Sequence, residues 1–160
     1  MDNLFCYIFK GQVAIVRCDE GAKGDLVIPS TIDGFPVAWI EPYAFSGCES
    51  LISITIPDGV TSIGNRAFEN CIRLTEVNIP NSVTSIGEAA FHKCISLTAI
   101  AIPKGVTRIK DSTFSHCVDL TSITIPDSVT SIGTGAFYGC DNLTSIAIPD
   151  GVTSIGDYKP

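Results

Sequence analysis

Seven cysteines and two histidines carry the most reactive side chains of this 160-residue chain. Thiols can ligate zinc, pair as disulfides or attack as nucleophiles, and imidazoles can act as bases or metal ligands. The spacing argues against most of that chemistry. Structural zinc sites draw on close pairs such as C-x2-C, whereas the nearest two cysteines here, Cys6 and Cys18, stand 12 positions apart. His92 and His116 are flanked by Lys93 and Ser115, which add no third ligand, so a solvated surface pair is expected. No G-x-S-x-G elbow occurs, and no histidine is set beside a cysteine suited to attack. Gly133-Thr134-Gly135 lacks the third glycine of a dinucleotide loop. Asp58, Asn81, Lys104, Asp127 and Asp150 each follow a proline; calcium would want that row, but Lys104 breaks it and turns favour Asp there. One glycosylation sequon, Asn142-Leu143-Thr144, is present. The sequence therefore predicts no catalytic residue, no metal and no cofactor.

Composition narrows the classes further. A formal charge of −7 does not suit a nucleic-acid surface. Hydrophobic residues make up 45% and charged ones 17%, too apolar a balance for disorder. No apolar run approaches the roughly 18 residues of a membrane span, so no membrane insertion is expected. The stretch Met1-Asp2-Asn3-Leu4-Phe5-Cys6 does not read as a secretory signal, because it has no basic n-region and Lys10 interrupts it. Either the protein stays where it is made or the sequence lacks its export signal. Ile outnumbers Leu by 22 to 7, and Ser plus Thr reach 29, a β-branched excess that favours strands.

These residues recur with a fixed step. Phe45, Phe68, Phe91, Phe114 and Phe137 are spaced by 23, as are Cys48 to Cys140, Leu51 to Leu143 and Pro57 to Pro149. One unit reads Ala-Phe-x-x-Cys-x-x-Leu-x-x-Ile-x-Ile-Pro-x-x-Val-Thr-x-Ile-Gly. A unit this small cannot bury its own apolar face and must stack on its neighbours. Leu120–Ile125 alternates as a half-buried strand, Pro126 ends it, and Val129–Ile132 forms a second short strand closed by Gly133. Ala136, Phe137, Cys140 and Leu143 are spaced by 3 to 4, which predicts a short helical turn. The fold expected is a β-rich solenoid of right-handed coils with parallel strands. About six coils would stack over roughly 25–30 Å. On the apolar face between Phe and Leu, a ladder of small buried thiols is expected, though disulfides between coils would also be within reach.

The unit Leu-x-x-Ile-x-Ile-Pro-x-x-Val-x-x-Ile-x-x-x-Ala-Phe-x-x-Cys, over residues 26–156, resembles the BspA-like class of leucine-rich repeats. That resemblance implies a parallel sheet on the concave face of a curved solenoid. It also implies a surface or secreted protein concerned with adhesion.

The ends depart from the repeat. Pro29 to Phe45 spans 16 residues where later units use 11, and the insertion falls at Asp33-Gly34-Phe35-Pro36-Val37. Phe35, Trp39 and Tyr43 gather there, where a first coil would meet a cap. Upstream, Phe5–Phe9 and Val13–Val16 flank Gly11-Gln12, which predicts a type II′ hairpin. That register puts Phe5, Tyr7, Phe9, Ala14, Val16 and Cys18 on one face, with Cys6 opposite. Residues 1–25 are thus expected to form a hairpin cap and residues 26–160 the solenoid, one structural domain overall. After Gly156 the pattern asks for Ala-Phe but reads Asp157-Tyr158-Lys159-Pro160, as a truncated chain would.

Surface is what remains for function. The outward strand positions read Ser53/Thr55, Glu76/Asn78, Ala99/Ala101, Ser122/Thr124 and Ser145/Ala147, a small, polar, almost uncharged face. The candidate binding residues are Ser53, Thr55, Glu76, Asn78, Ser122, Thr124 and Ser145. The expected function is a non-enzymatic binding module for a protein or glycan, with a structural spacer as the alternative. A monomer is favoured, and Leu143, Ile146, Ile148, Val152 and Ile155 would form the face of an end-to-end homodimer.

Overall fold

Three walls build each coil: a main strand wall, a short-strand wall and a wall of turns. The computed structural model describes residues 4–19 and 21–157. Its strands begin with β1 (Leu4–Phe9), β2 (Gln12–Cys18), β3 (Lys23–Val27), β4 (Thr31–Ile32), β5 (Phe35–Ile40), β6 (Ser50–Thr55) and β7 (Ser62–Ile63). They continue with β8 (Glu76–Asn78), β9 (Ser85–Ile86), β10 (Ala99–Ala101), β11 (Arg108–Ile109), β12 (Ser122–Thr124), β13 (Ser131–Ile132) and β14 (Ser154–Ile155). The main wall runs β3-β6-β8 and then β10-β12, all parallel. The short-strand wall runs β1-β2-β5-β7-β9 and then β11-β13-β14. Repeat mates sit in register across it, as in Ser62↔Ser85 and Ile63↔Ile86.

Both walls lose sheet pairing at the same coil boundary, between β8/β9 and β10/β11. The corner residue also differs at this boundary. Gly64, Gly87, Gly133 and Gly156 mark the corners of four coils and Glu41 that of the first, and a Cβ on Gly87 would lie 2.4 Å from the Asn65 nitrogen. The corner N–H groups of Gly64, Gly87, Gly133 and Gly156 bond back to Ile40, Ile63, Ile109 and Ile132. Lys110 takes the corner between Gly87 and Gly133, where a side chain stands in place of glycine.

The expected helical turn is not there: the described residues contain no helix. Instead, N–H groups alternate in direction. Those of Ala44, Ser46 and Cys48 bond three residues back, while those of Tyr43, Phe45 and Gly47 reach the carbonyls of Asn65, Ala67 and Glu69 on the next coil. Left-handed residues recur as pairs four positions apart in each coil, at Arg66 (φ 55°) and Asn70 (58°), then Ala89 (51°) and Lys93 (58°). A helix would turn every N–H back on its own segment and leave the coils unbonded along this wall. The 3–4 spacing of apolar residues is common to both solutions.

Phe45, Phe68, Phe91, Phe114 and Phe137 stack behind the turns, with centroids 5.0, 5.2, 5.5 and 5.7 Å apart in order. That is wider than the about 4.8 Å between strands. That difference is in the sense that thickens each coil at its turns and turns the main strand wall toward the concave side, the face that the leucine-rich repeat resemblance implies. Beside the rings, the thiols of Cys71, Cys94, Cys117 and Cys140 each donate to a phenylalanine carbonyl of the preceding coil at 3.1 Å. Phe68 O, for example, accepts both the Cys71 N–H and the Cys94 thiol. Cysteine suits the position because it is small and apolar yet carries a weak donor.

The hairpin turns at Lys10-Gly11, not Gly11-Gln12. Both residues have positive φ (50° and 76°), so the turn is type I′ rather than II′. Phe9 therefore pairs with Gln12 and Tyr7 with Ala14. A bulge between Phe5 and Cys6 leaves Val16 outside the register, so Cys18 leaves the face of Phe5, Tyr7 and Phe9 and is buried. Its thiol meets that of Cys48 and so heads the cysteine ladder. β2 pairs in parallel with β5, through Ala14↔Trp39 and Ile15↔Ile40, and so forms a rung of the short-strand wall.

Candidate functional site

The concave wall presents one side of β3, β6, β8, β10 and β12 to solvent, because alternate residues of a strand point to opposite faces. Leu51, Ile54, Val77 and Ile100 point inward and are buried. Ser53, Thr55, Glu76, Asn78, Ala99, Ala101, Ser122 and Thr124 point outward. Thr55, Glu76, Asn78, Ser122 and Thr124 are exposed, while Ser53 is half-buried and donates to the Asp25 carboxylate at 2.7 Å. Ser145 is also exposed but lies outside any strand, since the sheet pattern stops at β12 in this wall among the described residues.

Glu76, Ser122 and Thr124 come together around a groove of about 460 Å³, with Thr75, Thr98, Ala99 and Ala101 in its lining. Its position follows from two local facts. Alanines replace the larger outward residues of the flanking rungs, and β8 and β10 are not joined by sheet bonds. Ser53, Thr55 and Asn78 extend the same face toward the first coils. Thr75 and Thr98 escaped the strand-alternation argument because they lie just before the strands. Thr75 and Thr121 each spend a hydroxyl on a carbonyl of the preceding coil, at 3.0 and 3.1 Å.

Other reactive groups are occupied structurally. Burial raises the Cys71, Cys94 and Cys117 thiols and pushes Cys140 up to about 11, so they stay protonated at neutral pH. His92 packs edge-on to His116 at 5.6 Å, and His116 to Tyr138 at 4.8 Å. Burial lowers the His92 pKa, and its Nδ1 is enclosed without a hydrogen-bond partner. His116 is thus packed in a row rather than solvated alone; its ring lies where a Cβ on Gly139 would be. No group of three or more His, Cys, Asp or Glu among the described residues is arranged to hold a metal.

Known proteins with this architecture have related sequences. Residues 38–159 match the BspA type leucine rich repeat region in six copies. A leucine-rich repeat protein of T. pallidum superposes with a TM-score of 0.86 at 31% identity, covering 97% of this chain and 79% of the other. A leucine rich cell surface protein of Faecalibacterium prausnitzii gives a TM-score of 0.74 at 32% identity, covering 95% of this chain and 50% of the other. A leucine-rich repeat protein of Bacteroides ovatus gives 0.62 at 28% identity, over 98% and 55% of the two chains. A search of curated proteins gave no match. Stacked phenylalanines, thiols bonded from coil to coil and the six matched copies lead to one conclusion: the chain belongs to the BspA type leucine-rich repeat family.

Proposed function

We propose that the protein is a non-enzymatic recognition module that docks a protein or glycan on its concave strand wall, at the cell surface. The groove lined by Glu76, Ala99, Ala101, Ser122 and Thr124 carries this reading. It is a shallow, nearly uncharged trough on a rigid sheet, with Glu76 the one ionised group lining it. Such a surface suits contact with an extended partner, because small side chains let the partner approach the sheet closely. The surface setting draws on the F. prausnitzii relative, which is described as a cell surface protein.

The test is a glycan array and a pull-down from host-cell surface extract, using wild type and the Glu76→Lys, Asn78→Lys double variant. Binding that the double variant loses, with folding unchanged by circular dichroism, supports the concave wall as the docking face. Binding that survives both substitutions moves it elsewhere. No binding in either assay favours the alternative of a structural spacer.

A further inference from the structure

A second groove, on the opposite side of the chain's N-terminal part, differs in chemistry from the concave wall. It encloses about 310 Å³ and is lined by Tyr7, Phe9, Trp39, Glu41 and Ser62, among others. The strand register explains how residues so far apart in sequence meet. Tyr7 pairs with Ala14, Ala14 with Trp39, and Trp39 with Ser62, so all four face the same side of the short-strand wall. Ala14 is fully buried, while Tyr7 and Phe9 are left 47% and 53% exposed. The Tyr7 hydroxyl donates to Glu41 Oε1 at 3.1 Å, which fixes the ring against the carboxylate. From coil two onward the outward positions of this wall carry Ser62, Ser85, Arg108, Ser131 and Ser154, so aromatic rings are confined to its first rungs.

We infer that this groove is a binding site for neutral sugars, in which aromatic rings take the C–H face of a pyranose and Glu41 accepts its hydroxyl protons. The hydrogen-bond inventory selects that class. Glu41 can only accept, and Tyr7 has spent its proton on Glu41, leaving lone pairs that suit a ligand rich in donors. The lining also holds two donors, the Trp39 indole N–H and the Ser62 hydroxyl. A proline-rich peptide's carbonyls answer these but it has almost no donor for Glu41, whereas sugar hydroxyls both donate and accept. An anionic glycan would meet the Glu41 charge and the chain's −7. An ammonium needs ring faces within about 6 Å of one point; here Lys10 Nζ already lies 5.3 Å over the Phe9 ring. The site is independent of the concave wall, and either can fail without the other.

Trp39 is the sole tryptophan, so intrinsic fluorescence reports on this groove alone. The probes are lactose, cellobiose, maltose and N,N′-diacetylchitobiose, titrated into the whole chain, with tetramethylammonium chloride and a proline decamer run in parallel. A saturable emission change at millimolar concentration is expected with at least one sugar. Glu41→Gln should weaken it by about tenfold, Phe9→Ala should weaken it too, and the Glu76→Lys, Asn78→Lys variant should leave it unchanged. Both groove substitutions lie at the surface, and a urea midpoint for each confirms that it folds. The inference is overturned if no sugar saturates, if only the ammonium or the peptide does, or if Glu41→Gln and Phe9→Ala leave the sugar response intact.

Discussion

Phe91 and Phe9 are the same side chain put to opposite uses. Phe91 is fully buried, stacked 5.2 Å from Phe68 and 5.5 Å from Phe114. Phe9, on the N-terminal hairpin, is 53% exposed beneath a lysine ammonium. In the repeated coils the stacked phenylalanines point inward, and the outward strand positions are mostly serine, threonine or alanine, with Glu76, Asn78 and Arg108 among them. In the hairpin the aromatic rings of Phe5, Tyr7 and Phe9 point outward. The coils thus concentrate stability, and the hairpin concentrates sticky surface. The contrast separates what holds this solenoid together from what it can offer a ligand.

The largest test of the contrast is alkaline pH. An unfolded thiol ionises near about 8.5, whereas burial holds Cys71, Cys94 and Cys117 well above that and Cys140 at about 11. Between those values the unfolded chain has given up protons that the folded chain keeps. Stability is therefore intact below about pH 8.5 and falls as pH rises, by about 1.4 kcal/mol per pH unit for each thiol. Four such thiols together give at most about 5.6 kcal/mol per pH unit. Urea midpoints measured from neutral to alkaline pH should fall steeply, and a flat profile would break the account. At neutral pH a thiol reagent should label the half-buried Cys6 of the hairpin before any ladder cysteine.

Next in size is the phenylalanine pair itself. Phe91→Ala should cost about 3–5 kcal/mol, since the neighbouring rings cannot close the cavity. Phe9→Ala should change stability by no more than about 0.5 kcal/mol. Equal losses would mean that the hairpin is as much core as the coils. The glycines give the smallest effect. Gly87→Ala, whose Cβ meets the preceding coil's backbone at 2.4 Å, should cost about 1–3 kcal/mol and open the wall between β7 and β9. Gly11→Ala, with open space around it but φ of 76°, should cost about 1 kcal/mol. Amide exchange in β9 distinguishes them, because only the first should speed it.

The 23-residue step made the stacking, the buried phenylalanines and the thiol ladder legible, since a repeated position has the same environment in every coil. It could not show that the 3–4 spacing is met by left-handed turns, because side-chain spacing says nothing about where N–H groups point. Nor did hairpin periodicity reveal the bulge that carries Cys18 into the core. A bulge adds one residue without changing residue types. Glu76, Ser122 and Thr124 were placed on one face by strand alternation. The groove between them depends on the Ala99 and Ala101 rung and on the split in the sheet. The site at Tyr7 and Trp39 required two long-range pairings across Ala14, and local patterns do not encode those.

Along the wall of turns, the bonds between coils all run one way. Cys18 donates forward to Ala44, Phe45 to Ala67, Phe68 to Ala90, Phe91 to Thr113 and Phe114 to Ala136. This wall therefore has a direction of its own, with carbonyls facing the head and amides facing the tail, opposite to the corner glycines, whose N–H groups bond toward the head. Aligned peptide dipoles add up, as they do in a helix, but here the amide end is the C-terminal one, the reverse of the helical sense. Two copies meeting tail to tail along this wall would set amide against amide. A head meeting a tail sets amide against carbonyl and continues the ladder. A contact made through the turns would thus be heterologous, the kind that extends a stack rather than closing a pair.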